Sequence, residues 1–481
     1  MKPQRIPKSL ITEPLGLYGW RKLEPVLLAA LLSEEPLLLV GAHGCAKSFV
    51  LERLAESLGM TFRSYNASLL NYDDLVGVPM PDATRTKLEY LASPESIWDA
   101  EVVFIDEISR TRPELQNKLF PIIYDRRVQG RPLSRLVYRW AAMNPPPTSA
   151  DLDGDDALYL GSEPLDAALA DRFPYIVAVP DWKDLSDEDQ KHVLSDQFAG
   201  RHEFPLAIRV LIAEARARYE ALVPVVAPRL TSYVRLLVSK LQDELYDVSP
   251  RRATMLLRGI LAVHAAREVL AAHDEAADST EVSLADSAFL ALPCMLPDRA
   301  RRSLNAAELA AIAKSAWEIT MLDENDPLGQ LMRIDDPVLR LRRMVAKHLV
   351  IPPLRAAVVI ASGVAKAKPH LRRGLALATY LALRERADLP AYTFESLADQ
   401  IQPVVAACVK EVAAVPPQKA RLAADVGACV ADVNRRFGEE SAFARYHANL
   451  LNAALPDGFA NADEVRQASF EFELLWMEFG L

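Results

Sequence analysis

Near the start of the chain, Gly41-Ala42-His43-Gly44-Cys45-Ala46-Lys47-Ser48 places a lysine and a hydroxyl directly behind a run of small residues. Small residues let backbone N–H groups converge on an anion, and the positive end of a following helix favours the same charge. In such a loop Lys47 reaches the outer phosphates of ATP, and the Ser48 hydroxyl joins the shell of a Mg²⁺ ion. The pattern GxxxxGK[ST] asks for glycine at position 46, where this chain has alanine. A Cβ is tolerated there as long as φ stays negative. His43 and Cys45 read as ordinary loop residues, since the sequence offers neither a partner. Asp106 and Glu107 follow four apolar residues, 59 positions after Lys47. Asp106 would hold Mg²⁺ through water or with Ser48, and Glu107 would polarise the attacking water. Singly, each string has a plainer reading, a surface lysine after a turn or an acid pair at a helix start. Their order and separation together favour phosphate chemistry.

That chemistry needs a sheet edge to hold it. Leu37–Val40 is a continuous apolar run, as in a strand buried on both faces of a parallel sheet. Val50, Leu51, Leu54, Ala55 and Leu58 then recur at helical spacing, and Gly59 closes the helix. A strand is expected at 61–66, a Pro-rich, partly β stretch at 76–91, a buried strand at 102–105 and a helix at 112–125. Strands at 137–142 and 176–179 complete the alternation. This predicts an α/β fold, an αβα sandwich on a parallel sheet, over residues 1–185. Past Asp181 the strands stop. Residues 186–300 predict an all-α lid and 301–481 an all-α C-terminal domain, while residues 1–24, with Pro3, Pro7 and Pro14, read as a lead-in.

Composition narrows the class. The 51% apolar and 25% charged fractions are those of a soluble globular protein. A net charge of -10 argues against broad electrostatic binding to nucleic acid or anionic lipid. Cys45, Cys294, Cys408 and Cys429 are scattered with no CxxC, a pattern of reducing compartments rather than of a zinc or disulfide framework. No signal-peptide core opens the chain, and Pro25–Val40 is broken by Ser33-Glu34-Glu35-Pro36. The expectation is a cytoplasmic protein with no membrane partner.

From Leu17 to about Asp298 the chain resembles the MoxR branch of AAA+ ATPases. Its loop has the branch's Gly-x-x-Gly-x-Ala-Lys-Ser form, so Ala46 favours the resemblance. Asp73-Asp74-Leu75-Val76-Gly77 through Leu88-Glu89-Tyr90 looks like the family's insert in the second helix. Phe104 to Arg110, Gln116, Arg126–Val128, Ala142-Met143-Asn144-Pro145, Leu165 to Phe173 and Ser249-Pro250-Arg251 parallel further blocks in order. The resemblance implies a γ-phosphate contact from Asn144 and an arginine finger, Arg172, offered to a neighbouring subunit. It also implies a lid sensor, Arg251 with Arg252 as the alternative, that closes on the phosphates. It further implies a homo-oligomeric ring, hexameric by analogy, that remodels a protein client, often a von Willebrand A-type partner.

Weaker features stay open at this level. Arg126, Arg127, Arg131, Arg135 and Arg139 surround Gly130 in an expected hairpin, either a grip on client or nucleic acid or a solvated or subunit-facing positive face. The acidic loop 151–156 fails an EF-hand frame, because Asp156 stands where glycine is required and Ser162 where glutamate is. Phe470, Phe472, Leu474, Leu475, Trp476 and Phe479 form an apolar end expected to pack on the tail domain. The alternatives to a ring motor acting on protein are a DNA-directed motor of a defence system, a nucleotide-gated scaffold and a monomeric kinase.

Overall fold

The computed structural model describes residues 9–81, 83–86, 88–146, 164–196, 207–274, 282–323, 325–334, 336–346, 351–407, 420–455 and 459–481. The acidic loop 151–156, Ser162, Cys408 and residues 275–281 lie outside these. The chain forms two compact units, Met1–Thr320 and Met321–Leu481.

Among the described residues of the first unit, nine strands run in chain order: β1 (Leu37–Val40), β2 (Phe62–Asn66), β3 (Val78–Pro81), β4 (Leu88–Leu91), β5 (Val102–Asp106), β6 (Arg127–Val128), β7 (Arg131–Pro132), β8 (Tyr138–Met143) and β9 (Tyr175–Ala178). Five of them make one sheet in the order β2-β5-β8-β1-β9. Every pairing in it is parallel. Leu37–Val40 is buried along its whole length, which is why the run is uniformly apolar. Parallel pairing brings the ends of β1, β5 and β8 to one edge, where ligands bind in such sheets. Leu38, Val103, Ile105, Ala141 and Ile176 pack on one face with Leu75, Leu119 and Phe173.

The helix Glu24–Ser33 is apolar on every side, with Val26 to Leu32 all buried. It packs on the helices Ala207–Asp243 and Pro250–Ala272, so its all-round hydrophobicity is that of a core helix. The helix 112–125 expected from sequence is α over Pro113–Phe120 and a π turn over Pro121–Asp125. Pro121 has no N–H for the regular ladder, which accounts for the change of winding. Among the described residues no strand follows β9, as the composition predicted. Ile208–Asp243 has the length and apolarity to cross a bilayer, yet its Ile208, Leu211, Ala215, Leu230, Tyr233, Leu237 and Leu241 are buried within this unit.

The second unit is helical throughout its described part, around Leu341, Leu375, Leu451, Val465 and Phe472. Of the apolar C-terminal run, Phe472, Leu475 and Phe479 are buried, whereas Phe470 faces solvent.

Candidate nucleotide site

The loop 41–46 starts where β1 ends, and Gly41 N donates to Met143 O at 3.1 Å, fastening it to β8. A Cβ on Gly41 would stand 2.2 Å from the Val179 side chain, so only glycine fits beside β9. Ala46 corrects the sequence expectation. Its φ is +56°, the left-handed region, rather than negative. The turn that opens the helix Lys47–Ser57 demands that conformation, and alanine adopts it at a cost. Glu107 is likewise left-handed, at φ +52°.

Lys47 is buried, and its ammonium donates to Gly41 O at 2.8 Å and Ala42 O at 2.7 Å. Burial pushes its pKa below the ordinary value, while Cys45, Asp106 and Glu107 pull the other way. Ser48 Oγ donates to Asp106 Oδ2 at 2.9 Å, and Asp106 Oδ1 accepts from Glu107 N at 2.8 Å. A hydroxyl and a carboxylate side by side are the hard oxygen donors that Mg²⁺ takes from a protein when phosphate and water complete its octahedron, so this pair fits the ion. Glu107 lies at the lip, 3.6 Å from Arg110. Asn144 is buried at the end of β8, with Nδ2 3.2 Å from His43 Nε2. His43 therefore has a partner that the sequence did not disclose. Together His43, Gly44, Cys45, Ala46, Lys47, Ser48, Asp106, Glu107 and Asn144 line a cavity of about 310 Å³.

A second cavity, about 580 Å³, continues from the same loop, sharing His43, Gly44, Cys45 and Ala46. Leu17, Tyr18, Trp20, Phe49, Trp182 and Leu185 give it an aromatic and aliphatic wall of the kind that takes a flat base. Sequence reasoning missed this half by treating residues 1–24 as a lead-in. The signal was present in Leu17-Tyr18-Gly19-Trp20, large apolar residues around a glycine ahead of the first helix. Gly19, at φ +79°, comes so near Leu185 that a Cβ would meet its side chain at 2.2 Å. Cys45 Sγ sits 3.6 Å from Asp181 Oδ1, and burial followed by that carboxylate raises its pKa, so it is a thiol at neutral pH.

Arg172 and Arg251 do not line either cavity. Both lie against the helical segment 113–125, Arg172 over the Phe120 ring at 4.2 Å and Arg251 over Tyr124 at 5.1 Å. Arg251 is also 3.8 Å from Asp171 and substantially exposed. Arg252 is fully buried. It donates to Ala170 O at 3.1 Å, Phe173 O at 2.8 Å, Met295 O at 2.9 Å and Asp171 Oδ1 at 3.2 Å. It ties the start of the helix Pro250–Ala272 to the residues before β9, and Ser249 caps that helix as the sequence indicated.

The expected hairpin is present as β6 and β7, turning through Gln129 and Gly130 with positive φ. Of the five arginines around it, Arg139 is buried and Arg126 half-buried, while Arg127, Arg131 and Arg135 are exposed. Arg126 pairs with Glu34 at 3.3 Å and Arg135 with Glu101 at 3.6 Å. Arg139 is buried, donates to Ile123 O and Glu34 O, and is pushed down to about 10 by burial. Arg131 lies over Trp98 at 5.7 Å.

Residues 36–173 match the family model described as AAA domain (dynein-related subfamily). This segment is an AAA+ ATPase core. The matched range holds the phosphate loop, Asp106, Glu107, Asn144 and Arg172, whereas residues 9–24 and 181–193 flank it. The chain is also 29% identical over 163 residues to "Uncharacterized protein YeaC" of Bacillus subtilis (strain 168), covering 33% of this chain. It spans 46% of the length of that relative. A crystal structure of a "putative ATPase" from Cytophaga hutchinsonii matches with a TM-score of 0.43 at 19% identity, over 64% of this chain and 92% of that one.

Proposed function

We propose that the chain is a MoxR-like AAA+ ATPase that hydrolyses Mg·ATP at the seams of a homo-oligomeric ring, a hexamer by family analogy, and uses the cycle to remodel a protein client in the cytoplasm. The observation that carries this reading is the Ser48–Asp106 contact of 2.9 Å beside the buried Lys47, with Glu107 at the lip of the same crevice. Lys47 and the loop amides would hold the triphosphate, Ser48 and Asp106 the Mg²⁺, and Glu107 would take a proton from the attacking water. Asn144 would orient that water or the γ-phosphate. The bound ion supplies charge neutralisation between the outer phosphates.

The positions of Arg172 and Arg251 support a shared site. Both stand outside their own crevice and lie over rings of one helical segment, Arg172 over Phe120 and Arg251 over Tyr124, where a neighbour's phosphates could meet them. Phosphate loss would then change the contacts between subunits, which is what a switch requires. The test is ATPase activity against protein concentration for wild type, Lys47→Ala and Arg172→Ala. Specific activity should rise with concentration, and each variant should lose about a thousandfold or more in turnover. A mixture of the two inactive variants should recover activity, because each contributes the part the other lacks. Absence of recovery, or full activity of Arg172→Ala, would overturn the shared site.

A further inference from the structure

We propose that Glu24 is a positioning residue for base recognition, the anchor of an N-terminal strap that forms one wall of the larger cavity. This rests on the reading of the site as one for ATP. Glu24 is the first residue of its helix and is 3% exposed. Its Oε1 accepts from Ser9 Oγ, from Ile11 N at 3.1 Å, and from Thr12 N and Oγ1 at 2.7 and 2.8 Å. Its Oε2 accepts from Leu10 N at 3.1 Å. Three successive backbone amides and two hydroxyls thus converge on one carboxylate, an arrangement known as a nest. No sheet takes those amides, so the carboxylate determines where residues 9–12 lie.

From that anchor the chain passes through one short turn, Glu13–Leu15, and reaches Leu17, Tyr18 and Trp20 at the cavity. Arg21, paired with Glu13, holds the far end of the strap to its beginning. On the other side the Tyr18 ring stacks on His192 at 5.1 Å between centroids, and Gly19 seats against Leu185. The strap is therefore fixed at its root by a charge and at its tip by ring and side-chain contact. The phosphate loop has a different support, the ends of β1 and β8. The two ends of the site are held by separate devices, and Glu24 serves only one of them.

In Glu24→Gln the amide oxygen still accepts, but the NH₂ group meets N–H and O–H donors where an oxygen stood. The strap should loosen while the phosphate loop stays built. Calorimetric titration of the full chain, in the presence of Mg²⁺, with ATP and with inorganic tripolyphosphate separates these effects. Wild type should bind ATP more tightly than tripolyphosphate. Glu24→Gln should weaken ATP by about tenfold or more and leave tripolyphosphate within about twofold. Tyr18→Ala, which leaves the anchor intact, should show the same base-selective loss and decides the matter if Glu24→Gln fails to fold. Unchanged ATP affinity in folded Glu24→Gln would overturn the proposal, as would equal loss of both ligands in that variant, and so would unchanged ATP affinity in Tyr18→Ala, which would remove the wall that Glu24 is said to position. Wild type that binds neither ligand would instead sink the ATP reading itself.

Discussion

Ala46 and Glu107 both line the phosphate crevice, and both hold a backbone conformation that L-residues avoid. The left-handed region costs a non-glycine residue roughly 1–2 kcal/mol, and such strain persists only where the surroundings over-determine it. Ala46→Gly should raise the stability of the first unit by about 1 kcal/mol, read as a higher denaturant midpoint. A lower midpoint would mean that position 46 does not carry the strain. Sequence already exposed most of the residues at this scale. Lys47, Ser48, Asp106 and Glu107 announced themselves by type and spacing, Asn144 only through the family resemblance, and the structure gathers all five around one cavity. The sign of φ at Ala46 was not legible, because it is set by the turn into the helix rather than by the residue. The His43–Asn144 contact was hidden for a different reason, since 101 positions separate the two and only strand order brings them together.

Where the helix Pro250–Ala272 meets the α/β core, two adjacent arginines do opposite things. One helical position is a rotation of about 100°, enough to send Arg252 into the core and Arg251 toward solvent. Composition cannot choose between neighbours of identical type, and the choice came from which face of the helix meets the carbonyls of Ala170, Phe173 and Met295. Burial lowers the pKa of Arg252, with Asp171 pulling it back up. Arg252→Met removes the cation, leaves Asp171 with only Ser249 Oγ at 3.0 Å and Arg251 at 3.8 Å, and strands the carbonyls of residues 170, 173 and 295. It should cost about 3–5 kcal/mol in denaturant unfolding. Arg251→Ala should change stability by less than about 0.5 kcal/mol. Equal effects of the two substitutions would show that the helix does not dock through Arg252. The α/β alternation and the switch to helix after Asp181 were legible because buried parallel strands and amphipathic helices have distinct periods. The strap was not, because its order comes from one distant carboxylate and has no period at all.

For the molecule as a whole, pH acts on the second unit through His447. It is fully buried, its Nδ1 has no partner, and its Nε2 lies 3.0 Å from Ser469 Oγ. Burial lowers its pKa, Glu473 opposes that shift and Arg436 reinforces it. A histidine whose folded pKa is depressed contributes stability that is complete above its unfolded value, about 6.5, and is lost as pH falls below it. The second unit should therefore weaken between pH 7 and 5, by at most about 1.4 kcal/mol per pH unit from this group. In His447→Gln the unfolding midpoint should vary less over that range, and an unaltered pH slope would remove the histidine from the account. The lysine of the phosphate loop also helps to shape the loop that carries it. Its ammonium donates to the carbonyls of Gly41 and Ala42, so two dipoles at the root of its own loop offset part of what burial costs the charge. Lys47→Met would take that donor from both carbonyls, and the loop would lose shape as well as charge.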